Sequence, residues 1–251
     1  FANLFLFTGM CFMTSGWIAW MLVEFEDQSD VKRRPLAESL KESWSIITND
    51  GNFVRLACVA SCYAMSITLF PHYQAFIRDR SGIDLGDLVA WVIVQNIGAA
   101  AFSLPLGKIA DRYGNRLALQ ITMLVLCAAP TLTVIWNSLG MSESTGIFYV
   151  IFFLLGLTPV SMRMFNNYTL EIAGRDLQPV YLSTLSACMA IPVVLLSALV
   201  GAAVDTVGFQ LVFSVVVVIL FSGWILTFTL TEPRSENGTR KRSGPHSTVL
   251  N

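Results

Sequence analysis

Between two long apolar runs the chain reads Pro105-Leu-Gly-Lys-Ile-Ala-Asp-Arg-Tyr-Gly-Asn-Arg116. The flanking runs are residues 88–106 and 117–137. Each is long enough to cross a bilayer, which takes roughly 20 apolar residues. Two spans joined by so short a segment must be antiparallel neighbours. We therefore expect the quoted stretch to form a tight, charged hinge at one face of a membrane.

The composition also indicates a membrane protein. The 251 residues are 54% hydrophobic and 13% charged, whereas soluble domains are about 25% charged. We expect an all-α, polytopic bundle of transmembrane helices, with the lipid bilayer as its first partner. Nucleic acid is not an expected partner, because no basic patch is interleaved with exposed aromatic residues. Cys58 and Cys62 are one helical turn apart without a nearby histidine or carboxylate, so neither a metal site nor a cofactor is expected.

Seven apolar spans are predicted along the chain. The first opens at Phe1 without an initiator methionine, so we expect the sequence to be a fragment of a longer protein. The spans cover residues 1–23, 53–76, 88–106, 117–137, 146–167, 180–203 and 208–230.

Two segments outside the spans are polar. Residues 24–52 are charged and carry an apolar residue every three or four positions, at Leu36, Leu40, Trp44 and Ile47. This spacing predicts an amphipathic linker helix lying along the membrane surface, with Asp50-Gly51-Asn52 as its end; a flexible loop is the alternative. Residues 232–251 are polar and rich in Gly and Pro, which favours a disordered tail.

The basic residues predict the orientation, because short loops rich in Lys and Arg stay in the cytoplasm. If the seven spans alternate, 14 of the 16 basic residues lie on one side and only Arg78 and Arg80 on the other. The C-terminus, the linker and the hinge are then cytoplasmic. Position 1 is then outside.

The hinge has a second copy three connections later, between the sixth and seventh predicted spans. Gly201, Asp205 and Gly208 repeat the spacing of Gly107, Asp111 and Gly114. By the predicted orientation the first copy is cytoplasmic and the second extracellular, which is typical of an inverted repeat of three helices. Arg112 and Arg116 of the first copy become Thr206 and Gln210 in the second.

The string Gly107-x-x-x-Asp111-Arg112-x-Gly114-x-Arg116 resembles the loop signature of the major facilitator superfamily of transporters. The chain is similar to the last helix of the first half (1–23), the linker (24–52) and the six-helix second half (53–231) of such a protein. The resemblance implies a secondary transporter that moves a small solute by alternating access in the inner or plasma membrane. It further implies that Asp111, Arg112 and Arg116 form a charge network gating against the N-terminal half, which this chain lacks.

Candidate contacts to the solute are polar residues at membrane depth, where they are costly unless they face a cavity or a partner. The resemblance implies that the spans carrying them line the transport cavity. The alternatives are that the amides tie helices together and that Arg163 reaches the inner headgroups. The candidates are Tyr63, Ser66, Gln95, Asn96, Arg163, Asn166 and Asn167.

The sequence also bears on two other function classes, a membrane-embedded enzyme and a non-transporting scaffold or receptor. A membrane-embedded enzyme needs a nucleophile and a base within reach of each other. The histidines are only His72, at the end of a span, and His246, in the tail, so an enzyme is not expected. A non-transporting membrane scaffold or receptor would share the fold, and the sequence leaves that alternative open. The absence of Asp and Glu from span interiors leaves the coupling ion unassigned.

Overall fold

A computed structural model describes residues 2–21, 36–81, 85–140 and 146–232. Much of the predicted linker and nearly all of the predicted tail lie outside the described residues. Within them the secondary structure is helical, without strands. The helices are α1 (Ala2–Met21), α2 (Leu36–Asn49), α3 (Gly51–Ser81), α4 (Leu85–Tyr113), α5 (Asn115–Ser138), α6 (Gly146–Leu155), α7 (Leu157–Ile172), α8 (Gln178–Val207) and α9 (Phe209–Thr227).

Six membrane-capable helical segments lie in the part of the chain that the structure describes. They are α3, α4, α5, α8, α9 and the combined α6–α7 segment, Gly146–Ile172. The all-α membrane bundle is therefore confirmed. Residues Phe1–Glu38 form a separate compact unit that contains α1, an uncharged helix of 20 residues. Since α1 is not among the six, the count of seven spans stays a prediction.

The hinge prediction was wrong in one respect. Helix α4 continues through Pro105 as far as Tyr113, and α5 begins at Asn115. Only Gly114 lies between them. The apolar run ends near residue 106, but the charged residues that follow continue the helix. The turn is thus a single glycine instead of a loop of about ten residues.

The two sequence copies end in the same backbone geometry. Gly114 has φ 97° and ψ 156°, and Gly208, between α8 and α9, has φ 83° and ψ 162°. This region is essentially restricted to glycine. The second glycine of each copy is therefore required by the reversal between two helices.

Helix packing follows the inverted repeat, with α3, α4 and α5 corresponding to α6–α7, α8 and α9. Helix α3 packs on α8, and its counterpart α6–α7 packs on α4. Likewise α3 packs on α9, while α6–α7 packs on α5. The two third helices, α5 and α9, pack extensively on each other. The predicted three-helix repeats thus describe the contacts of the bundle.

The span predicted over 146–167 is broken in its middle and extends further, to Ile172. Helix α6 ends at Leu155 and α7 starts at Leu157. Pro159 has no backbone N–H to offer the Leu155 carbonyl, and its ring disfavours a continuous helix. Gly156 lies between the two helices, and its N–H bonds back to Phe152 and Phe153.

Helix α2 lies in the second part of the predicted linker, and Asp50 follows its last residue. The Asp50 carboxylate then caps α3 by accepting hydrogen bonds from the N–H groups of Asn52 and Phe53, both at 3.0 Å. The predicted apolar stripe does not pack as a unit: Ile46 and Ile47 meet the bundle, whereas Leu40 and Trp44 are exposed. The buried face also includes polar Ser43, which bonds Thr184 of α8.

Candidate functional site

The helix ends define two ends of the bundle. At the basic end α3 begins, α4 meets α5, α7 stops and α9 finishes. At the far end α5 stops and α8 meets α9. The basic side chains close to the basic end are Arg55, Lys108, Arg112, Arg116 and Arg175, and the far end has Arg78.

Hydrogen bonds fasten the end of α9 at the basic end. The Tyr168 hydroxyl donates to the Thr231 carbonyl at 2.6 Å and accepts from Asn52 Nδ2 at 3.1 Å. The Thr231 N–H returns to Asn52 Oδ1 at 3.0 Å. This ring of bonds joins the start of α3, the end of α7 and the segment that follows α9.

The residues predicted to gate the transport pathway fall into two groups, one bonded to the end of α9 and one exposed. Arg116 donates to the Phe228 carbonyl at 2.7 Å, and Arg55 donates to the Thr229 carbonyl at 2.9 Å. Both arginines therefore cap the carbonyl groups at the end of α9. Arg112 is exposed, with its guanidinium 5.4 Å from the centre of the Tyr113 ring, and Asp111 is exposed as well.

The far-end copy makes the corresponding contact. Gln210 stands where Arg116 stands in the first copy, and it bonds Asn137 and Ser138 at the end of α5. Arg116 ties the start of α5 to the end of α9, and Gln210 ties the start of α9 to the end of α5. The Arg-to-Gln difference noted in the sequence therefore preserves one structural contact.

Glu232 also belongs to the basic end, although the sequence prediction placed it at the start of the tail. Its carboxylate lies against Gly114, so that a Cβ at Gly114 would be 2.5 Å from Glu232 Oε1. Gly114 immediately precedes α5, and the positive end of the helix dipole favours an anion there. Nothing in the local sequence connects Glu232 with Gly114, because the contact depends on α5 and α9 packing together.

A groove of about 330 Å³ lies between α4 and α7. It brings together three of the seven predicted solute contacts with Gly107 of the hinge motif. Sequence reasoning did not identify Ser103, which also faces it. The groove is lined by Ser103, Gly107, Val160, Arg163, Met164, Asn166 and Asn167.

The polar side chains of α7 in this groove are available to a ligand. Among the described residues, none forms a hydrogen bond or ion pair with Arg163, Asn166 or Asn167. A guanidinium offers a fork of N–H donors that matches a carboxylate, and each amide offers both donors and acceptors. The groove can therefore recognise a small polar solute that carries an anionic group.

The other four predicted contacts lie elsewhere. Tyr63 is buried and donates to the Thr158 carbonyl at 2.7 Å, and Ser66 is buried and donates to its own helix at the Tyr63 carbonyl. Asn96 is exposed and bonds the Val92 carbonyl. Gln95 is half-buried, with its backbone against Gly156 at the break between α6 and α7.

The break itself is a feature that sequence reasoning missed. Tyr63 bonds the Thr158 carbonyl just after the break, and the buried Thr158 hydroxyl has no hydrogen-bond partner in the part of the chain that the structure describes. The signal was present in Gly156-Leu-Thr-Pro159, since Gly and Pro at this spacing interrupt helices. No group of three potential metal ligands occurs within the described ranges.

Comparison with known proteins identifies the family. The family profile described as Major Facilitator Superfamily matches residues 76–250. The chain belongs to this superfamily. The resemblance inferred from the hinge motif is therefore confirmed, and the protein is a multi-pass membrane protein of a transporter family.

A sequence relative and a solved structure show which individual proteins this chain is similar to. A probable peptide/nitrate transporter of Arabidopsis thaliana is 29% identical over 150 residues, which is 57% of this chain and 30% of that protein. The crystal structure of an auto-inhibited POT family peptide transporter matches 73% of this chain and 37% of its own, with a TM-score of 0.58 at 15% identity. The chain thus spans about a third of the length of either relative.

Proposed function

We propose that the chain is the second half of a secondary transporter that moves a small polar solute with an anionic group by alternating access. The groove between α4 and α7 is the part of the solute pathway that this half contributes. The observation that supports the proposal most strongly is that Arg163, Asn166 and Asn167 line one groove and have no hydrogen-bond or ion-pair partner among the described residues. Polar groups at membrane depth are unfavourable in free energy unless they face a cavity or bind a ligand.

The proposal includes a second set of helices that packs against this one. Helices α4 and α8 are mostly exposed along their membrane-spanning windows, and the matched relatives extend well beyond the aligned region. Asp111 and Arg112, exposed at the basic end of α4, would meet that second half and gate the pathway from the cytoplasm. The basic end is assigned to the cytoplasmic side of an inner or plasma membrane because basic loops stay there.

Uptake into proteoliposomes tests the role of the groove. The longest reading frame that contains these residues would be reconstituted and supplied with nitrate or with dialanine, because the relatives are a probable peptide/nitrate transporter and a peptide transporter. We expect Arg163→Gln to raise KM about tenfold or more, since a hydrogen bond to a charged group contributes about 1.5–3 kcal/mol. Arg163→Lys keeps the positive charge but loses the pair of parallel N–H donors. Its KM should therefore lie between those of the wild type and Arg163→Gln.

Arg175→Gln is the matched control, because Arg175 is an exposed arginine at the same end of the bundle but outside the groove. Its uptake should equal that of the wild type. Equal KM values for Arg163→Gln and Arg175→Gln would contradict the proposed groove. Absence of uptake for every solute tested would favour the alternative of a membrane scaffold or receptor.

A further inference from the structure

A second pocket, of about 230 Å³, lies at the far end of the bundle between α3 and α4. It is separate from the groove, which adjoins Gly107 towards the basic end of α4. Its walls combine apolar groups with side chains that donate hydrogen bonds. The pocket is lined by Pro71, Gln74, Ala75, Arg78, Leu88 and Trp91.

Trp91 is the unusual member of this pocket. The residue is only 2% exposed, and its indole Nε1–H has no hydrogen-bond partner among the described residues. Buried indole N–H groups usually have a partner, because an unpaired buried donor costs free energy. The ring itself is held firmly, since it stacks on Phe152 with centroids 5.1 Å apart and an interplanar angle of 16°.

The two other polar side chains of the pocket also carry N–H groups that can donate hydrogen bonds. Arg78 and Gln74 are one turn apart on α3, and within the described ranges neither forms a hydrogen bond or an ion pair. Arg78 always carries a positive charge. No carboxylate is among the described residues that line the pocket. A cation and an amide donor around one space are suited to an oxyanion.

We propose that this far-end pocket binds an oxyanion, a carboxylate or a phosphate, with Arg78 supplying the charge, Gln74 donating a hydrogen bond and the Trp91 side chain forming a wall. Pro71 and Leu88 form apolar walls that fit the carbon skeleton next to such a group. The oxyanion belongs either to a soluble molecule or to the headgroup of a phospholipid. The two sources share the same chemistry at the pocket.

The test follows the indole N–H signals by NMR. The 251-residue chain, labelled with ¹⁵N at its six tryptophans, would be placed in maltoside micelles, which contain no oxyanion. Sodium acetate and inorganic phosphate would each be titrated against sodium chloride at constant ionic strength. We expect one signal, identified by its loss in Trp91→Phe, to shift saturably while the other five stay fixed.

Variants and added lipids then distinguish a soluble ligand, a lipid headgroup and the absence of an oxyanion site. Arg78→Gln should weaken the apparent affinity at least tenfold, while Arg175→Gln at the other end should not change it. A shift with acetate or phosphate supports a soluble ligand. A shift only with phosphatidylglycerol, and not with maltoside alone, supports a lipid headgroup. If the Trp91 signal moves with none of these, or moves equally in Arg78→Gln, the pocket is not an oxyanion site. This readout does not depend on transport.

Discussion

At the scale of single residues, two glycines set the distance between α4 and the broken span α6–α7. A Cβ at Gly98 would overlap the carbonyl oxygen of Phe153, and one at Gly156 would overlap the carbonyl oxygen of Gln95. Small residues let helix backbones approach closely in membrane proteins. These glycines therefore position the wall of α4 on which Ser103 and Gly107 face the groove.

We predict that Gly156→Ala lowers the stability of the bundle by about 1–3 kcal/mol, because two backbones must move apart. Thermal unfolding of the chain in maltoside micelles would measure the change. Gly107→Ala is the control, because an added Cβ there meets no atom within 4 Å. A Gly156→Ala protein as stable as Gly107→Ala would show that the backbones are not in close contact.

The polar residues show how far sequence reasoning reaches at this scale. Arg163, Asn166 and Asn167 have the i, i+3 and i+4 spacing of one helix face, and the structure places all three in one groove. Tyr63 and Ser66 match the same pattern but are buried against backbone carbonyls. A polar side chain in a membrane helix can bond backbone instead of facing a cavity, and only the packing decides which occurs.

At the scale of elements, hydropathy predicted the membrane-crossing runs but not the helix ends. Residues 107–113 include the charged Lys108, Asp111 and Arg112, so the apolar run stops before them, yet they are helical. The end of α4 is determined by Gly114 and its backbone conformation. Hydropathy missed the break at Gly156 for the opposite reason, since the residues around it are largely apolar and the apolar run continues through it. The Arg116–Phe228 and Gln210–Ser138 contacts depend on which helices are neighbours, and spacing alone does not give that.

We predict unequal costs for alanine at the two equivalent turns. Gly208→Ala should cost about 1–3 kcal/mol from backbone strain alone, because nothing lies within 4 Å of an added Cβ. Gly114→Ala should cost more, since its Cβ would also collide with the Glu232 carboxylate. Adding Glu232→Ala to Gly114→Ala should remove part of the difference.

Unfolding in maltoside micelles would measure this series as well. Gly201→Ala is the control, because an added Cβ at Gly201 likewise meets no atom within 4 Å and the residue lies inside α8. Equal stability of Gly114→Ala and Gly201→Ala would contradict the requirement for glycine at the turn.

At the scale of the whole molecule, the orientation is open to a direct labelling test. In a background with the five cysteines replaced by serine, single cysteines would be introduced at Leu139 and Leu177, which are both exposed. Leu139 follows the far end of α5, and Leu177 precedes α8 at the basic end. In intact cells, an impermeant maleimide should label only the cysteine at 139. Labelling of the cysteine at 177 from outside would contradict a cytoplasmic basic end.

The central claim is that these helices work as one half of a transporter, against a second half. Alternating access requires two bundles that rock around a site between them, whereas the groove described here has walls from α4 and α7 on one side only. Polar groups such as Arg163 would otherwise face lipid, which is unfavourable.

The most direct test compares uptake by two proteins reconstituted in the same liposomes: the 251-residue chain alone and the longest reading frame that contains it. Nitrate, dialanine and a panel of sugars and amino acids would be supplied to both. We predict saturable uptake of at least one solute by the longer protein and uptake no greater than that of protein-free vesicles by the 251-residue chain. Saturable uptake by the 251-residue chain alone would contradict the account.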